Sequence, residues 1–277
     1  MWDRIKPLMP ADPVRGRRWA DRRRTVEAIE WKCRTCSPWR DLPDELGSFQ
    51  TAHKRLIRWA VDGTCERVPS AVLAAAEGAD DISWTVSVDS TVCRAHQHAA
   101  GARKKGGSRP GRTRRDHALG RSRGGLSTKV HLASDGHART LALRITAGQT
   151  GDAPAFETVM AGIRVLRSSP GRPRTRPDAV LAHRAYSSRA IRNHLRRRGI
   201  RAVIPQPSDQ IGHRLRRGRA GGRPPAFDAE TYRQRNAVER CVNRLKQWRG
   251  LAMRTDNLAI AYQAALHLAA ILIWARR

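Results

Sequence analysis

The sequence predicts an α/β fold in which a mixed five-stranded sheet carries helices on both faces, preceded by a small helical N-terminal domain. Three observations predict it. Apolar residues recur at helical spacing over residues 1–77, the pattern switches at Ile82 to alternating β-branched residues, and three strands are then followed by alternating helices and strands. A chain of 277 residues is long enough to bury a full core.

Taken in order, "DRRRTVEAIEWK" sets Val26, Ile29 and Trp31 on one helical face, and "GSFQTAHKRLIRWAVDG" does the same with Phe49, Ala52, Leu56, Ile57 and Ala60. "PSAVLAAAEG" is a third helix, and the Pro-rich link "SPWRDLPDELG" is a turn. A basic helical domain of this kind suits DNA binding; its plainer reading is a packing or dimerisation module. "ISWTVSVDST" is a first strand ending near Asp89. "GLSTKVHLAS" and "RTLALRITAG" flank Asp135-Gly136, a hairpin signal. "APAFETVMAGIRVL" is a helix, "DAVLAHRAY" a fourth strand, and "SSRAIRNHLRRRG" a helix capped by serine and ended by Gly199. "IRAVIPQP" is a fifth strand, and "DAETYRQRNAVERCVNRLKQWRG" a helix ended by Gly250. The apolar stretch Leu258 to Trp274, interrupted by Tyr262, Gln263 and His267, reads as a buried terminal helix and not as a membrane span. The order β-β-β-α-β-α-β-α is that of the ribonuclease-H-like fold, over residues 82–277. Two segments, 94–125 and 206–225, are rich in Arg, Lys, Gly and Pro and are expected to be basic loops.

Lys and Arg total 54 against 24 Asp and Glu, for a formal charge of +30 and a sequence pI near 11.6. Such an excess argues against a small-metabolite enzyme and for a polyanionic partner, nucleic acid first. "MWDRIKPLMP" has charges where a signal peptide has its apolar region, so a cytoplasmic location without membrane is expected. Five scattered cysteines do not suggest a disulfide framework, and Cys33-x-x-Cys36 lacks the second pair that a zinc site needs.

Phosphodiester chemistry without a covalent protein intermediate uses divalent cations held by carboxylates at strand ends and on a facing helix. Asp89 and Glu239 have those places, although Glu239 also suits an ordinary i,i+4 ion pair with Arg235. Lys129 and His131 alternate on the second strand and face one side of the sheet, for packing or for one DNA contact. His96 and His98 are two ligands at most, and a surface or phosphate-contact role is expected of them.

"SVDSTVCRAHQHAAGARKKG", "GRSRGGLSTKVHLASDG", "ITAGQTGDAPAFE", "AYSSRAIR", "RNAVERCVNRLKQWRGLAMRTD" and the N-terminal "WRDLPDELGSFQTAHKRLIRWAVDGTCER" together resemble the bacterial insertion-sequence transposases of the IS-five type, in the DDE superfamily. The resemblance spans nearly the whole chain, in order and at matching spacing. It implies a ribonuclease-H-like catalytic core, an N-terminal domain that helps bind terminal inverted repeats, and Mg²⁺-dependent cleavage and strand transfer; Mn²⁺, a softer ion, would tolerate a nitrogen ligand such as His183 better. Asp89 matches the first catalytic Asp and Glu239 the Glu, as metal ligands. The second acid's place is taken by His183, three residues before Tyr186 in "HRAYSS". Neutral imidazole offers a single nitrogen and no charge to a hard cation, so the match also implies impaired activity. Residues expected at double-stranded DNA are Arg103, Lys104 and Lys105 in the first basic loop, Lys129, Arg184 and Tyr186, and Arg235, Arg240, Lys246 and Arg249 around Glu239. Two element ends must be paired, so a homodimer is expected. Cys36 replaces a usual glycine and Cys65 a usual tryptophan. Two readings stand: a transposase weakened at His183, or a catalytically dead DNA-binding protein from a decayed element. A nuclease that cuts without joining is a third.

Overall fold

The computed structural model describes residues 2–12, 19–100, 117–167 and 169–276. Helices α1 (Trp2–Ile5), α2 (Arg22–Thr35), α3 (Phe49–Val61) and α4 (Thr64–Gly78) precede the sheet. Asp21 starts α2 by accepting the Arg24 N–H at 2.9 Å, and the helix closes on Cys36 in the left-handed region at φ 63°. Position 36 is therefore one that glycine fills without strain. Helix α4 starts before Pro69 and runs through it. Proline has no N–H for the Cys65 carbonyl, and His267 Nδ1 stands in as donor at 2.9 Å.

The strands are β1 (Thr85–Ala95), β2 (Gly120–Ser122), β3 (Gly125–Ser134), β4 (Thr140–Ala147), β5 (Ala179–Ala182), β6 (Arg201–Val203) and β7 (Met253–Arg254). The five expected strands lie side by side as β4-β3-β1-β5-β6, with β3 antiparallel to both neighbours and β5 and β6 parallel to β1. This is the ribonuclease-H-like arrangement. Two short strands are additions: β2 forms a hairpin on the start of β3, and β7 pairs with Arg94 and Ala95 at the end of β1. They are too short to carry a period of two. The β3–β4 hairpin forms where Asp135-Gly136 points, but Ala138, not Gly136, takes the left-handed conformation. Gly136 is needed for close approach, since a Cβ there would meet Ser83 Oγ at 2.5 Å.

Helices α5 (Gln97–Ala100), α6 (Asp152–Ala161), α7 (Arg189–Arg197), α8 (Ser208–Arg216), α9 (Ala229–Arg233), α10 (Asn236–Lys246), α11 (Arg249–Ala252) and α12 (Ala259–Ala275) complete the chain. Segment 206–225, expected as a loop, contains α8. Asp209 in its first turn and His213, Arg214 and Arg216 in its last suit the helix dipole, and no buried stripe announces it in the sequence. Residues 101–116, with Arg103, Lys104 and Lys105, lie outside the described residues. The single helix expected up to Gly250 is three, and Gly250 lies inside α11, where a Cβ would come 3.0 Å from the Cys33 carbonyl oxygen.

Period-two alternation sorts the sheet into two faces. Val130, Leu132 and Cys93 face a core shared with α10, α12 and the N-terminal helices through Ile29, Leu56, Val242 and Leu272. Val86, Val88 and Ala133 face the other core, with Phe156, Val159, Ile191 and Leu195 from α6 and α7. The N-terminal helices thus share a core with the end of the chain. Helix α12 is buried along most of its length, and among the described residues no helix is long and apolar enough to cross a membrane.

Candidate active site

Strand β5 pairs with β1 only up to Val88↔Ala182, and β7 joins β1 again only at Arg94. Among the described residues, β1 therefore has no strand neighbour on that side from Asp89 to Cys93. The gap is a notch at the carboxyl end of β5, the general location of ligand sites in open α/β sheets. Asp89 is the first residue of β1 inside the notch, and His183 is the first residue beyond β5.

Asp89 lies on the sheet face that α10 covers. One guanidinium joins the two acids: Arg235 Nη2 donates to Asp89 Oδ2 and lies 3.1 Å from Glu239 Oε1. The i,i+4 pair of Arg235 with Glu239 is thus formed, and the same guanidinium reaches Asp89. The remaining oxygen of Asp89, Oδ1, accepts the Ser90 N–H at 2.8 Å. Burial pushes the Asp89 carboxyl up, partly offset by the Ser90 N–H, by Arg235 and by His183. The His183 ring is exposed, with Nδ1 3.4 Å from the Ala185 N–H at the start of a 3-10 turn over Arg184–Tyr186. Its field is felt at Asp89.

Two carboxylates converging on one positively charged group form a donor set suited to a cation, with Arg235 as the stand-in ion. A third ligand is another matter: among the described residues no group of three His, Cys, Asp or Glu side chains is disposed to hold a metal.

The expected basic residues divide. Arg184, Arg240 and Arg249 are exposed, and Lys246 Nζ lies 3.5 Å from the Val92 carbonyl oxygen along the open edge of β1. Lys129 and Tyr186 depart from the expectation of DNA contact. Lys129 is on the opposite face of the sheet, where Nζ donates to Asp152 Oδ1 at 2.9 Å. Tyr186 is 1% exposed and packs on Phe156 with ring centroids 5.7 Å apart, which leaves no face for a phosphate. Its neighbour Ser187 ties α8 to the site through Gln210 Oε1 at 2.5 Å.

Asp152 was not legible as part of this neighbourhood. It accepts from both Lys129 Nζ and Ser90 Oγ (2.6 Å), and Ser90 is the residue after Asp89. Burial acts to raise its carboxyl, but the Ser90 and Lys129 hydrogen bonds outweigh it and hold the group below the usual range. An acid after glycine at a helix start reads first as a helix-start signal, and "TGDAPAFE" conceals the second role. His131, expected on the same face as Lys129, is there. Its Nε2 lies 2.8 Å from Thr146 Oγ1, and burial lowers its pKa to about 4.

Two family models match the chain: a putative transposase of the IS4/5 family over residues 1–69, and a transposase DDE domain over residues 82–274, well over half of the sequence. A putative transposase for insertion sequence element IS6501 of Brucella ovis is 26% identical over 151 residues, covering 54% of this chain and 100% of that one. A putative transposase for insertion sequence element IS402 of Burkholderia cepacia is 29% identical over 146 residues, covering 53% of this chain and 62% of its own. Among solved structures, the Mos1 strand transfer complex aligns with a TM-score of 0.28 at 15% identity, over 87% of this chain and 80% of that chain.

Proposed function

Since this chain belongs to the DDE transposase family of insertion sequences, we propose that it binds double-stranded DNA at the terminal inverted repeats of its own element, as a cytoplasmic homodimer. There it carries out metal-dependent cleavage and strand transfer, at a rate depressed by His183. The observation that carries this reading is the convergence of Asp89 and Glu239 on one positive charge, in the notch beside His183.

Asp89 and Glu239 would hold Mg²⁺ or Mn²⁺, which when bound supplies the charge that activates a water or 3′-hydroxyl and steadies the leaving oxygen. The chain's own residues do the rest. The Ser90 N–H fixes the orientation of Asp89. Arg184, next to His183 in the chain, Arg240, next to Glu239, and Arg249 are exposed and would bind phosphates, orienting the duplex without reading its sequence. The excess of 30 positive charges supports DNA binding that weakens steeply with salt. His183 supplies no negative charge in the third position, so the acidic set is one carboxylate short.

A second reading, DNA binding without catalysis, draws support from that same shortfall. One assay separates the two. Duplexes from both flanks of the gene are incubated with wild type and with His183→Asp in Mg²⁺ and in Mn²⁺, and nicked and joined strands are resolved. Slow cleavage by wild type and at least tenfold faster cleavage by His183→Asp supports the proposal. Binding without cleavage by wild type, with cleavage switched on in His183→Asp, establishes the second reading. No product from either protein under any condition refutes the catalytic assignment.

A further inference from the structure

We propose that Arg235 is a positioning residue that locks the acidic pair: its guanidinium occupies the position between Asp89 and Glu239 that a divalent cation needs, and a DNA phosphate draws it out. Metal loading is then contingent on DNA. This inference rests on the function proposed above, but its core concerns the DNA-free chain.

Three observations carry it. Arg235 Nη2 serves both carboxylates at once, so the guanidinium and a metal ion on the same oxygens exclude each other by space and by like charge. The side chains of Arg235 and Asp89 are 16% and 17% exposed while Glu239 is half exposed, so the contact between Arg235 and Asp89 is the one held from water. Thirdly, Arg235 is not satisfied where it lies, since its Nε is buried without a hydrogen-bond partner. A guanidinium has five donors in a planar fork that matches a phosphate, and an arriving phosphate oxygen supplies the acceptor that the locked state lacks. The exposed Arg184, next to His183 in the chain, and Arg240, next to Glu239, would help to deliver that phosphate.

The Arg235 charge offsets the repulsion between the two carboxylates that it joins in a partly buried notch. Without Arg235 their repulsion and desolvation would push them apart. It also keeps the free protein from holding a loaded site away from its substrate.

The test uses the full chain and measures free Mn²⁺ by electron paramagnetic resonance, with Asp89→Asn protein as the baseline so that manganese on the DNA cancels. Without DNA, wild type is expected to bind no more Mn²⁺ than the baseline, while Arg235→Gln gains a site at least tenfold tighter, lost again in Arg235→Gln/Asp89→Asn. With a saturating short duplex, wild type is expected to gain the same site. Arg235→Lys, which keeps the charge on a shorter-reaching and more strongly hydrated head, falls between and decides the matter should Arg235→Gln not fold. Equal Mn²⁺ affinity of wild type and both Arg235 variants without DNA overturns the lock. A gain in the variants with none in wild type on DNA overturns the release by phosphate. Failure of wild type to bind duplex by fluorescence anisotropy would fell the proposed function instead, with the DNA-free comparison still deciding the lock.

Discussion

Pro69 and His267 make a paired prediction. Inside α4, Pro69 leaves the buried Cys65 carbonyl without its helical donor, and His267 Nδ1 from α12 takes the vacancy at 2.9 Å. A carbonyl only accepts, so Nδ1 carries the proton, and burial, which holds the imidazole below its ordinary pKa, keeps the ring neutral. His267→Leu removes the donor while keeping an apolar body, and leaving a buried acceptor unsatisfied costs about 1–3 kcal/mol. In a Pro69→Ala background the residue at 69 again has an N–H for Cys65. The same His267→Leu change should then cost about 1 kcal/mol less, a coupling measurable as a double-mutant cycle. Urea unfolding of the four proteins, followed by tryptophan fluorescence, reads it. Equal costs of His267→Leu in the two backgrounds would refute the reasoning, because they would mean that the imidazole does not replace the missing helical donor.

Other consequences follow from the same structure. Cys36→Gly should stabilise the chain by about 1 kcal/mol in urea unfolding, because Cys36 holds a left-handed φ of 63° that glycine adopts freely; a loss of stability would show that the cysteine side chain contributes more than its backbone costs. Arg139 is 1% exposed and joins Asp135 and Asp81, each at 2.6 Å, so Arg139→Met should cost about 3–5 kcal/mol by stranding the wholly buried Asp135. Adding Asp135→Asn should recover part of that loss, and strictly additive costs would contradict the pairing. His131 has its pKa lowered to about 4 by burial, so it stays neutral in the fold while the unfolded chain takes up a proton below about pH 6.5. Its contribution is complete above pH 6.5 and is lost as pH falls towards 4; His131→Gln should therefore shrink the drop in stability between pH 7 and pH 5, and an unchanged drop would rule His131 out as its source.

The period of two in "ISWTVSVDST" and "GLSTKVHLAS" was enough to put Asp89 on a strand and Lys129 with His131 on one face, but the strand does not end near Asp89 as expected: β1 runs on to Ala95, held by β3, and Asp89 lies within it where β5 stops pairing. Likewise the helical spacing around "RNAVERCVNRLK" was enough to bury Val238, Cys241, Val242 and Leu245 and leave Glu239 and Arg240 outward. Such repeats are local, and a strand or helix cannot bury its apolar stripe without turning the opposite residues outward. What the sequence could not reveal depended on partners far along the chain. Nothing near Glu239 says that Arg235 also reaches Asp89, nor does anything near Lys129 name Asp152 as its partner. The strands β2 and β7 exist only because the ends of β3 and β1 offer them hydrogen bonds. Tyr186 looked like a residue that faces DNA because its motif lies next to His183, yet the turn that exposes His183 rotates Tyr186 into the core against Phe156. Identity, charge and periodicity are properties of a stretch of chain and are legible in it; the pairing of a charge is a property of the space around it, and only the folded structure assigns that.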